Sequence, residues 1–148
     1  MRFPSSEWFE ALTNQANANE ETFRRLGFCD ADVRIDISEG TGTRRFMLTF
    51  RDYGCDVVGE VDNDADLPAC DFALAGDLDV WREMVENIRE NGEADLSHTL
   101  NFLQLPGTIE LVADDQGKAD LFYRFNQTFQ EFFNGADAVP TEFTAPVP

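Results

Sequence analysis

Apolar positions recur along this chain with two periods, and segments of one period alternate with segments of the other. After Pro4, Ser5-Ser6-Glu7 predicts a helix start, because a serine side chain satisfies a free N–H of the first turn. Trp8, Leu12, Ala16, Phe23 and Leu26 then share one helical face, and Gly27 is a natural stop. Asn17-Ala18-Asn19-Glu20 has poor helix propensity. The segment is therefore expected to split there, with Asn19 capping a second short helix.

The period then changes to two. Val33, Ile35 and Ile37 alternate with Arg34, Asp36 and Ser38, the pattern of a half-buried strand. Gly40-Thr41-Gly42 reads as a turn. Phe46, Leu48 and Phe50 alternate with Met47 and Thr49, and Asp52-Tyr53-Gly54 is a second turn. Cys55, Val57, Gly59 and Val61 continue the pattern. Links this short predict an antiparallel meander. Asp62 to Pro68 reads as an acidic loop, and Phe72 and Leu74 mark a fourth strand.

From Asp77, a good N-cap, helical spacing returns. Leu78, Trp81, Met84, Val85 and Ile88 face one way, while Arg82, Glu83, Glu86 and Glu90 face the other. Gly92 ends this helix. Asp95 to Leu105 reads as a short, mostly apolar helix or loop, broken by Pro106-Gly107. Thr108 to Ala113 is a fifth strand. Ala119 to Asn134 reads as a closing helix, and from Gly135 onward the prolines suggest a loose tail. The order predicts one α+β domain over residues 1–135: a five-stranded, mostly antiparallel, twisted sheet with helices on one face. Within it a helical segment spans 5–27 and the core 28–135, and 136–148 is the tail.

The closing helix carries the densest signal. At about 100° per residue, Leu121, Phe122, Phe125, Phe129, Phe132 and Phe133 fall in an arc about 120° wide. Phe supplies 14 of 148 residues, against two Tyr and two Trp. Five rings on one stripe either plug a core or wall an apolar cavity.

Charge narrows the partner classes. The net charge of −18 and pI near 4.1 repel phosphate backbones and anionic lipid surfaces, so no nucleic acid partner is expected. Lys118 is the one lysine; the surface reads as a solvated acidic one, with salt adaptation a further reading. Cys29, Cys55 and Cys70 show no CxxC spacing and read as reduced thiols in a cytoplasmic protein. The N-terminus lacks the long apolar run of a signal peptide, and no 18-residue apolar stretch suggests membrane insertion.

Catalytic and metal patterns do not carry through. Asp62-Asn63-Asp64-Ala65-Asp66 opens like a calcium loop, but its sixth position is Leu67 and its twelfth Ala73, where Gly and Glu are needed. His98 is the sole histidine, with Ser97 and Asp95 beside it, and no G-x-S-x-G is present. Neighbours in sequence rarely assemble a triad, so a structural role is expected. Gly40-Thr41-Gly42 lacks the third glycine of a dinucleotide fingerprint. Asn126-Gln127-Thr128 matches a glycosylation sequon, but inside a helix. No cofactor or metal is expected.

The segment Cys70-Asp71-Phe72-Ala73-Leu74-Ala75-Gly76-Asp77-Leu78-Asp79-Val80-Trp81 resembles the sterol carrier protein 2 (SCP2-like) family. A strand there runs into a capped helix with an aromatic residue in its first turn. Leu103 to Gly107, Thr108 to Ala113 and Gly117 to Phe133 look like the family's apolar stretch, fifth strand and closing helix. The resemblance spans roughly Phe23 to Asn134. The chain departs in its acidity, in Leu105-Pro106-Gly107 before the fifth strand, and in its Phe-rich last helix. The resemblance implies a hydrophobic tunnel between sheet and helices for a fatty acyl chain, sterol or similar lipid, without a chemical step. Its expected lining is Trp81, Met84, Val85 and Ile88 on one wall and Phe122, Phe125, Phe129, Phe132 and Phe133 on the other. Phe102, Leu103 and Leu105 would form a mouth, and Phe125, Phe129 and Phe132 are placed on the cavity side. The alternative it implies is an interaction or dimerisation module with a collapsed cavity, accessory to a partner enzyme.

Overall fold

The computed structural model describes residues 1–27, 29–61, 69–100 and 108–143, apart from the side chain of Val58. The chain opens with β1 (Arg2–Phe3), α1 (Ser6–Ala18) and α2 (Glu20–Leu26). The meander β2 (Ala31–Glu39), β3 (Gly42–Arg51) and β4 (Gly54–Val61) follows. Then come β5 (Phe72–Asp77), α3 (Leu78–Asn91) and β6 (Ile109–Val112). The chain closes with α4 (Gln116–Arg124), α5 (Asn126–Asn134), a 3-10 turn at Gly135–Ala138 and β7 (Glu142–Phe143).

The five strands expected from alternation form one sheet in the order β4-β3-β2-β5-β6. Every pairing is antiparallel except β2 with β5, which is parallel. The register puts Val33 opposite Leu48 and Phe72, and Ile35 opposite Phe46 and Leu74. Since side chains alternate strictly across a strand, these residues face the same way. All are buried, and the helices cover that face. The opposite face holds ion pairs: Arg34 grips Asp36 with two bonds of 2.8 and 2.9 Å, and Arg45 lies 3.8 Å from the same carboxylate.

Local chemistry explains the helix boundaries. Ser5 Oγ accepts the Trp8 N–H at 3.0 Å and starts α1. The predicted split falls at Asn19, although its side chain donates back to Gln15 rather than capping α2. Asn17 is more than a weak helix former. Its amide donates to the Cys55 carbonyl and accepts the Cys55 N–H, both at 2.9 Å, so it pairs with edge strand β4 as another strand would. Gly92 closes α3 in the left-handed conformation, φ +84°, which glycine reaches without a Cβ clash. Gly76 is required by proximity: a Cβ there would sit 3.0 Å from the Thr108 carbonyl.

Two expectations are corrected. The single closing helix is two, because the backbone leaves helical geometry at Phe125 (φ −113°, ψ 23°). Residues 136–143 are not a loose tail. β7 pairs in parallel with β1, Arg2 with Glu142 and Phe3 with Phe143. Arg89 of α3 donates to the carbonyls of Ala136 and Val139, and Trp8 Nε1 donates to Thr141. A guanidinium spanning two carbonyls, which also accept from the Val139 N–H and the Thr141 hydroxyl, fixes this segment.

Candidate functional site

The space between sheet and helices is where the predicted lining residues converge. Phe50 and Phe72 rise from the sheet. From the helices come Phe122 of α4 and Phe129, Phe132 and Phe133 of α5. Phe129 meets Phe50 and Phe72 edge to face, at 5.1 and 5.2 Å between centroids. Phe132 meets Phe50 at 5.2 Å, and Phe122 stacks on Phe129 at 6.0 Å. These are the offset and edge-on geometries that ring quadrupoles prefer. Trp81 lies tilted against Phe133 at 5.5 Å, and its Nε1 donates to the Asp36 carbonyl. Met84, Val85 and Ile88 complete that wall, fully buried.

Phe125 stands apart. It occupies the break between α4 and α5, partly exposed, with its ring toward Gly27 and the Arg124 guanidinium 5.3 Å above it. Phe102, Leu103 and Leu105 lie outside the described residues, as does the acidic loop Asp62 to Pro68.

Among the described residues these rings pack directly against one another. A void of about 10 Å³ remains where Phe23, Phe50, Tyr53, Cys29, Cys55 and Thr128 meet. Thr128 is 4% exposed, and its hydroxyl is the one buried polar atom on this wall without a hydrogen-bond partner among the described residues. Its helical phase lies about 20° outside the Phe arc, so its burial was open to inference from the periodicity that picked out the rings. Burial pushes the Cys29 thiol up to about 12 and raises that of Cys55 as well, so both stay neutral.

Two larger clefts lie elsewhere. One of about 350 Å³ opens where α1, α3 and α5 end, lined largely by amides and carboxylates such as Asn19, Asn91, Glu131 and Asp137. Another of about 260 Å³ lies beside Arg34, Cys70 and Asp114, where β5 and β6 adjoin. The second mixes Phe72, Ala73 and Val112 with Arg34, Asp71 and Asp114, so neither has the predominantly apolar lining that suits a lipid tail.

His98 does not form a catalytic triad. Asp95 Oδ1 and Ser97 Oγ both address Nδ1, at 2.6 and 3.2 Å, whereas a triad needs acid and nucleophile on opposite ring nitrogens. Nε2 faces Glu83 of α3 at 3.4 Å. The hydrogen bond from His98 holds the Asp95 carboxyl down at about 2, and Asp95 raises the histidine in turn. With Asn87 paired to Asp95 through both side chain and backbone, the group is a clamp fixing residues 95–98 to α3. Among the described residues, no cluster of His, Cys, Asp or Glu could hold a metal, and no helix is long and apolar enough to cross a membrane.

No protein-family model and no curated protein sequence matches this chain. Solved structures do. A crystal structure of sterol carrier protein 2 superposes with a TM-score of 0.70 at 15% identity, covering 92% of this chain and 98% of that one. A conserved hypothetical protein from Thermus thermophilus, described as possibly a sterol carrier protein, gives 0.69 at 17% identity, over 93% and 90%. A ubiquinone synthesis protein, UbiJ-SCP2, gives 0.50 at 18% identity, over 91% and 89%. The fold is therefore SCP2-like, as the family resemblance implied.

Proposed function

We propose that this chain is a non-enzymatic protein that takes up an apolar ligand, a fatty acyl chain, sterol or similar lipid, between its sheet and its helices. The observation that carries the reading is the wall of rings on both sides of that space, Phe50 and Phe72 against Phe122, Phe129 and Phe132, in an SCP2-like fold. The rings now occupy the space, so uptake is an exchange of ring contacts for ligand contacts. Magnitudes favour a long ligand. Opening about 300 Å³ costs roughly 7 kcal/mol at about 24 cal/mol per Å³. A tail that removes about 400 Å² of apolar surface from water returns roughly 10 kcal/mol. A small apolar molecule returns less than the opening costs. The break at Phe125 supplies a joint about which α4, with Phe122, can move without unwinding α5.

A second reading, an interaction or dimerisation module accessory to a partner enzyme, is favoured by the filled interior and by the likeness to UbiJ-SCP2, a ubiquinone synthesis protein. Native mass spectrometry of freshly purified protein separates the two. A lipid mass on the monomer supports the first reading. A lipid-free dimer, with no uptake of added fatty acid, supports the second and overturns the first.

A further inference from the structure

The void beside Thr128 has a chemistry of its own. Among the described residues its lining is apolar except for Thr128, Tyr53 and the edge residue Asp52, and the Thr128 hydroxyl is buried without a partner. A buried hydroxyl left unpaired is costly, and it sits at the end of the ring-lined interior, against Phe50 and Phe23. Resting on the lipid-binding reading above, we infer that this void seats the polar head of the ligand, and that the head is uncharged: a hydroxyl or carbonyl, not a carboxylate.

Three observations set the sign. Among the described residues the lining contains no cation, and its one carboxylate, Asp52, repels an anion. The whole chain carries −18, so an anionic head enters against the field. Arg24 approaches only from outside: its guanidinium lies 4.5 Å from the Tyr53 ring centroid and is paired with Glu20 at 3.2 Å. Inside, a threonine hydroxyl both donates to a carbonyl and accepts from a hydroxyl, so it suits either neutral head. It is a specificity residue for the head, while the rings hold the tail. In the conformation described, the void accepts nothing larger than one water, so the head opens it as the tail opens the rings.

The test is equilibrium partition of labelled decan-1-ol and decanoate at pH 8 into the intact protein, its Thr128→Val variant and its Thr128→Ser variant. Thr128→Val replaces an unpaired hydroxyl with a methyl of similar size, so it folds at least as stably as the parent, which thermal unfolding checks. The inference expects the alcohol to bind about tenfold more tightly than the acid. Thr128→Val should lose about three- to tenfold in affinity for the alcohol, the worth of one hydrogen bond, and Thr128→Ser should retain it. Equal or tighter binding of decanoate, or an unchanged alcohol affinity in Thr128→Val, overturns the inference and leaves lipid binding standing. Failure of both ligands to bind overturns the lipid reading together with the inference.

Discussion

Phe50 on the sheet and Phe129 on α5 meet edge to face with centroids 5.1 Å apart and planes at 79°. This contact joins the two layers at the centre of the ring cluster, with Phe72, Phe122 and Phe132 around it. Phe129 should therefore matter more than Phe125. Phe129→Ala is expected to cost about 3–5 kcal/mol, and Phe125→Ala less than half of that, because its ring sits at the rim. Urea unfolding of the two variants checks the order, and equal losses would place Phe125 in the core.

Asn17 closes the β4 edge with two hydrogen bonds to one residue. Asn17→Ala should lose about 1–3 kcal/mol, since it leaves a part-buried backbone pair unsatisfied. It should also speed hydrogen exchange at the Cys55 amide far more than at amides in the middle of β2. Uniform exchange changes would mean that the side chain matters only through general stability.

The His98 clamp has a defined pH window. His98 is raised above its ordinary value of 6.5, so its contribution is full below that value and fades as pH climbs through the higher folded value. Asp95 is lowered from 3.8 to about 2, so its contribution is full above 3.8 and fades as pH falls toward 2. The clamp is strongest between about pH 4 and 6.5. An NMR titration of His98 should give a midpoint above 6.5, and Asp95→Asn should bring it down. A midpoint unmoved by that change would break the link.

The charge of −18 makes the folded chain repel itself. Raising salt from about 0.1 to 1 M shortens the screening length from about 10 to 3 Å. The melting temperature should climb over that range, by more in chloride salts than a neutral osmolyte achieves at equal osmolality. A flat or falling curve would show that the acidic groups are too well dispersed to matter.

Much of the fold was legible because it rests on local periodicity. Val33, Ile35 and Ile37 against Phe46, Leu48 and Phe50 set both the strands and the buried face, and Trp81 to Ile88 set α3. The kink at Phe125 was hidden because Arg124-Phe125-Asn126 has no glycine or proline and the Phe stripe keeps its phase across it. The β1–β7 pair was hidden because two-residue strands from the chain's two ends leave no local signature. Asn17 read as a defect in a helix, since its partner Cys55 lies 38 positions away. At the candidate site, the sequence singled out the ring-bearing positions, while the partner of each ring is set by sheet register. Thr128 drew notice only through a sequon, although its helical phase put it beside the rings.

The most direct test of the central claim is intermolecular NOE measurement between an isotope-labelled decanol chain and the protein's aromatic protons. Uptake between sheet and helices predicts NOEs from the chain methylenes to Phe50, Phe129 and Phe132, with a shift at Trp81 Nε1. A saturating excess of decanol that gives no NOE to these rings and leaves their shifts unchanged would contradict it.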